Sequence, residues 1–116
     1  MVLCDYFPNP SIFPPDVNND NALVSCFGAC AVEILATGIL SFFICAVNDR
    51  KHMFNSKTHI PILVGLTVAI LVSLFSAITQ AGMNPARDLG PRIIALIAGW
   101  KYIAIPGPHN GFWVYI

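Results

Sequence analysis

The side chains best able to do chemistry lie in one short stretch, Gly82-Met83-Asn84-Pro85-Ala86-Arg87-Asp88-Leu89-Gly90-Pro91-Arg92. Asn is a favoured helix cap, and Pro suits the first helical position because an N–H there has no intrahelical partner, so Asn84-Pro85-Ala86 predicts a helix start. The Asn84 side-chain oxygen can accept from the first backbone amides while its NH2 stays free to donate into a cavity. Arg87, about one turn inside, adds a full positive charge to the partial positive charge of a helix N-terminus. Together they would repel cations and protons and offer donors to a neutral solute that has shed its water. Asp88 and Arg92 are four residues apart and share a helix face, which predicts a structural ion pair without solute contact. Asp88 is rotated about 100° from Arg87 on an ideal helix. The sequence around Arg87 offers it no other neighbouring carboxylate. Asn-Pro alone would read as a cap; an arginine in an apolar setting is what points to function.

The elements that position these residues belong to a membrane protein. Of 116 residues, 56% are hydrophobic and 10% charged, far from a soluble average. The formal net charge of zero provides no basic patch, so no nucleic-acid partner is expected. Residues 22–48 are almost wholly apolar, with Glu33 the one carboxylate, and residues 60–80 form a second such run. Each has the ~20 residues that a spanning helix needs. The first run lacks a basic leader and is too long for a removable signal peptide. Residues 49–59 form a polar connection, and Arg50, Lys51 and Lys57 in it are three of the six formal positive charges. The positive-inside rule assigns this loop to the cytoplasm. Residues 1–21 carry Asp5, Asp16 and Asp20 with no Lys or Arg, and are expected as an extracellular loop.

Residues 81–99 contain the motif and then an apolar stretch interrupted by Arg87, Asp88 and Arg92. At ~1.5 Å per residue its ~14 helical residues cover about 20 Å, too little for a ~30 Å hydrocarbon core. A re-entrant half-helix is expected, since broken backbone at that depth survives only when buried in protein or lining a watery cavity. Residues 100–111 read as a second extracellular loop, and the aromatic run 112–116 as the start of a further span.

Cys4, Cys26, Cys30 and Cys45 have no metal or redox spacing and read as packing residues; no metal, disulfide framework or cofactor is expected. Cys26 and Cys30, one turn apart, suit a close helix contact. An enzyme using Glu33 with His59 or His109 is a weak alternative, because both histidines fall in expected loops without an orienting carboxylate. No catalytic residue is assigned.

Asn84-Pro85-Ala86-Arg87 with Gly90-Pro91 resembles the second signature motif of the major intrinsic proteins, the aquaporins and aquaglyceroporins. Asp88 and Arg92 are similar to the glycerol-passing branch. Tyr6-Phe7-Pro8-Asn9-Pro10 looks like the aquaglyceroporin loop before the fourth span. Asn9-Pro10-Ser11 is not the first signature motif, since apolar spans do not flank it.

The resemblance implies an all-α membrane protein, a fragment of the six-span inverted-repeat channel, with 22–48 and 60–80 as the fourth and fifth spans. It implies no enzyme activity, a homotetramer of full-length subunits in the lipid bilayer of the plasma membrane, and glycerol, small polyols, urea and water as permeants. Asn84 and Arg87 would line the pore with Gly82 and Met83, and Glu33 would buttress the re-entrant loop. Ala81, three before the motif's Asn, takes a filter position where glycerol channels often have an aromatic. Val72 falls at the fifth-span filter position, where Gly is common. The first three spans, the first signature motif and nearly all of the sixth span have no counterpart here, so a piece of a longer channel is expected. The second reading is a truncated, non-conducting product that associates with full-length subunits.

Overall fold

The computed structural model describes residues 4–9, 11–12, 24–49, 59–107 and 110–116, and among them every regular element is helical. Helix α1 spans Cys26–Asn48, later than the expected start at residue 22, because the Ser25 hydroxyl accepts from the Gly28 amide at 3.1 Å and caps it. Helix α2 spans His59–Thr79, so His59 opens a helix and is not a loop residue. It stops one residue before the expected end, since Gln80 turns into the left-handed region at φ +62°. The connection at 50–58, assigned to the cytoplasm above, lies outside the described residues.

Helix α3, Pro85–Ala95, is the expected half-helix; at 11 residues it is about 16 Å long and cannot span. Its last turn widens over Leu96–Trp100, where Gly99 at φ +92° breaks the helix, and a 3-10 turn at Lys101–Ile103 follows. Residues 112–116, where a further span is expected to start, hold a 3-10 turn over Phe112–Tyr115.

Both long helices are apolar enough to cross a membrane, with mean hydropathy 2.2 and 2.5. Only 17% and 11% of those apolar windows are buried within the chain, so Phe27, Ile34, Phe42, Ile62, Leu66 and Leu74 face outward. In water such faces would be costly; in a bilayer or against more channel protein they are not.

Among the described residues the buried hydrophobic cluster lies at the motif end. Phe7, Ala29, Val114 and Tyr115 form a small core, and Cys26 and Cys30 pack against it in the role expected of them. None of the four cysteines is in a disulfide; Cys4 is buried and Cys45 exposed. Beside this core Arg92 and Asp88 are each 1% exposed and paired, as their spacing predicts. The same guanidinium donates to the carbonyl of Ala104 at 2.9 Å and to that of Asp5, and lies 5.1 Å from the Tyr6 ring centre. One side chain thereby ties α3 to the turn after it and to the leading loop.

Breaking a buried pair strands a charge, at a cost of about 3–5 kcal/mol. In a full-length channel carrying these residues, Arg92→Met or Asp88→Leu alone is expected to abolish the monodisperse peak of detergent-extracted protein. The double variant should recover part of it, because no unpaired charge remains. Single variants that elute like the parent would refute this role.

Candidate functional site

The loop between α2 and α3 is built from residues that resist their own conformation. Gln80, Ala81 and Met83 all have positive φ, +62°, +53° and +46°, each costing about 1 kcal/mol or more. Glu33, 6% exposed on α1, supplies the restraint: its Oε1 accepts from the Gly82 amide at 3.1 Å and its Oε2 from the Met83 amide at 2.7 Å. A buried carboxylate is thus satisfied by amides that no helix could serve. Tyr115 adds a second restraint, donating from its hydroxyl to the Thr79 carbonyl at 3.0 Å. A Cβ on Gly82 would stand 2.8 Å from the Tyr115 ring and 3.2 Å from Asp5 Oδ2, so this position needs glycine.

Asn84 caps α3 as its type predicts, its Oδ1 accepting from Ala86 at 3.0 Å and Arg87 at 3.4 Å, with Pro85 at the first helical position. Asn84 also lines an open cleft of about 380 Å³ bounded by α1 and the C-terminal turn, with Glu33, Thr37, Met83 and Trp113 among its walls. Arg87 is not among those walls; it reaches the carbonyls of Ala81 and Gly82 from Nη1, at 3.0 and 3.3 Å, while its side chain stays 53% exposed. Ala81 is buried and meets Arg87 through its carbonyl, not its methyl. Val72 is exposed on α2, and no described contact joins it to Arg87.

One expectation needs correction: Arg87 does have a second neighbouring carboxylate. Asp5, remote in sequence, lies with Oδ2 3.3 Å from Arg87 Nη1 and Oδ1 3.4 Å from Nη2. Its own backbone is gripped by the α3 pair, the amide donating to Asp88 Oδ1 at 2.8 Å and the carbonyl accepting from Arg92. Burial pushes the Asp5 carboxyl up to about 6, against the pull of Arg87, with Asp88 and Glu33 adding repulsion.

Gln80 was also missed. Its Oε1 accepts from the Tyr6 amide and its Nε2 donates to Asn9 Oδ1, while Asn9 donates to the Ser76 carbonyl at 2.8 Å. These bonds dock the leading loop on the end of α2. The readable signals were a lone aspartate beside aromatics and a glutamine closing an apolar run.

With this geometry in view, the comparisons are specific. The family model for the major intrinsic proteins matches residues 5–116. The chain belongs to the major intrinsic protein family. Members of this family are integral membrane channels, not enzymes, and the two apolar helices of the chain fit a membrane. It is 34% identical to the glycerol uptake facilitator of Haemophilus influenzae, over 87% of this chain and 34% of that protein. Identity to the Escherichia coli K12 facilitator is 36%, over 78% of this chain and 32% of the relative. The propanediol uptake facilitator of Citrobacter freundii is 36% identical over 77% and 33%. The X-ray structure of the aquaglyceroporin from Plasmodium falciparum superposes with TM-score 0.72 at 28% identity, covering 97% of this chain and 41% of that one. The fold is therefore a portion of the aquaporin-type fold, and the likeness is to the aquaglyceroporin branch. The chain spans about a third of the length of the curated relatives it matches.

Glu33→Ala leaves the buried Gly82 amide and the half-buried Met83 amide unpaired, and each lost hydrogen bond costs about 1–3 kcal/mol. Glu33→Gln keeps one acceptor. Folded full-length channel at the cell surface is expected to fall in the order parent, Gln, Ala by surface labelling, and an unchanged yield of Glu33→Ala would refute the buttress.

Proposed function

We propose that these residues form the second-half wall of a passive channel for glycerol, small polyols, urea and water, acting within a complete aquaglyceroporin. The observation that carries this reading is Arg87, a guanidinium held by two loop carbonyls yet half-exposed, one turn inside a half-helix too short to span. The similarity to uptake facilitators for glycerol and for propanediol supports the permeant class.

The mechanism follows from hydrogen-bond exchange. A hydroxylated solute entering a constriction loses water, and donors on Arg87 and Asn84 replace part of what it loses. Asn84 spends its oxygen on the helix, which leaves its NH2 to face the pore. Cations and protons meet the guanidinium and the positive end of α3. The small Ala81, where glycerol channels often have an aromatic, makes a wider and less apolar constriction, which favours a broad range of small solutes; Val72 takes the fifth-span filter position. In this reading the 49–59 loop is cytoplasmic, full-length subunits form a homotetramer in the plasma membrane, and no cofactor takes part.

Two outcomes test the reading. The chain alone, reconstituted in liposomes, is expected to give no glycerol flux above empty vesicles, because half the pore wall is unmade. In a full-length channel carrying these residues, Arg87→Val should keep glycerol permeation and admit protons or small cations, followed with an entrapped pH dye. A variant that assembles normally with no ion leak and unchanged solute preference would reduce Arg87 to a structural residue.

A further inference from the structure

The charge opposite Arg87 is not accounted for by the channel reading. Asp5 is 7% exposed, and its Oδ2, fully buried, has ion-pair distance to Arg87 but no hydrogen-bond donor in line. Burying such an oxygen is costly unless it serves something. The fold also spends effort on holding it there. The Asp5 amide and carbonyl are both fixed by the Asp88–Arg92 pair, and the side chain lies against Gly82, where no larger residue fits.

An exposed guanidinium at the mouth of a positive half-helix excludes cations, but the same field draws small anions inward. The arrangement is layered. Arg87 is 53% exposed and Asp5 10%, so a permeant meets the guanidinium first with the carboxylate behind it. Asp88 is already paired with Arg92 and Glu33 with two amides, which leaves Asp5 as the counter-charge.

We propose that Asp5 is a specificity-determining residue of the constriction: its carboxylate holds the Arg87 guanidinium and offsets its charge, so that Arg87 excludes cations without drawing small anions into the pore. The proposal rests on reading Arg87 as a filter residue. The charged and titratable groups facing Asp5 are Arg87, Asp88 and Arg92 from α3, Glu33 from α1, Tyr115 from the C-terminal turn, and Cys4 and Tyr6 beside it in the loop.

The pH dependence has a definite sign. With a folded carboxyl titrating near 6, against 3.8 ordinarily, Asp5 is ionised at neutral pH and takes up a proton as pH falls through about 6. Ionising it opposes folding, so its contribution to stability falls as pH rises from about 3.8 to about 6. In the folded protein Arg87 therefore loses its counter-charge as pH falls below about 6.

The test uses a full-length channel in which residues 5–116 replace the matching segment of the Escherichia coli facilitator, in liposomes with an anion-quenched dye. Glycerol and nitrate influx are measured at about pH 7.5 and about pH 5, where nitrate stays ionised and glycerol neutral. Asp5→Asn is expected to conduct glycerol while raising nitrate influx at the higher pH on the order of threefold or more. The parent should approach that nitrate influx at the lower pH, and Asp5→Glu should restore low influx at the higher one. Nitrate influx in the parent that is flat across both pH values and equal to that of Asp5→Asn would overturn the proposal. If Asp5→Asn does not assemble, the parent's pH profile decides by itself. A parent without glycerol flux would refute the channel reading instead. The carboxyl carbon of Asp5, isotope-labelled and titrated by NMR in detergent, then decides the pairing: its midpoint should rise in Arg87→Gln, and an unmoved midpoint overturns it.

Discussion

The two amides that Glu33 accepts are the contact on which the rest of the site depends. The loop from Gln80 to Asn84 has left its helix and twists through three positive φ values, so the amides of Gly82 and Met83 have no helical partner. Without an internal acceptor its amides would be unpaired and its conformation would relax. A carboxylate on a neighbouring span supplies two acceptors from one rigid position. Held there, the loop aims the N-terminus of α3, and with it Asn84 and Arg87.

The charged side chains around that loop are arranged so that each answers a different need. Glu33 serves backbone, Arg92 and Asp88 serve each other and the surrounding carbonyls, and Asp5 serves Arg87. Only Arg87 among them keeps half its side chain open. Fixed charges in a poorly solvated region are tolerable when each has a partner in good geometry, and useful where one is left partly free. The leading loop matters as much as the spans for this reason, because it brings Asp5 and Tyr6 over the motif and is itself pinned by Gln80 and Asn9.

Little of this stability comes from a conventional core. The long helices turn most of their apolar surface outward, and the buried hydrophobic cluster among the described residues is a small one of aromatic and small side chains at the motif end. That economy suits a chain whose outer faces meet lipid or further channel wall, and it puts the weight of specificity on hydrogen bonds and ion pairs at the motif end.

The sequence by itself determined the membrane class, the two spans, the half-helix and the chemistry at its start. Those are local facts: run length, the Asn-Pro cap, and the four-residue spacing of Asp88 and Arg92 act through residues close in the chain. Glu33 as a buttress was legible only through the family resemblance, since composition says that a buried carboxylate needs a partner without saying which. Helix ends moved by a few residues because a cap at Ser25 and the φ of Gln80 decide them. Tertiary structure alone decided that Gln80 docks the loop and that Asp5 stands against Arg87. The physical reason is distance along the chain: residues more than seventy positions apart meet only when the loop folds back over the motif, and no local pattern encodes that return.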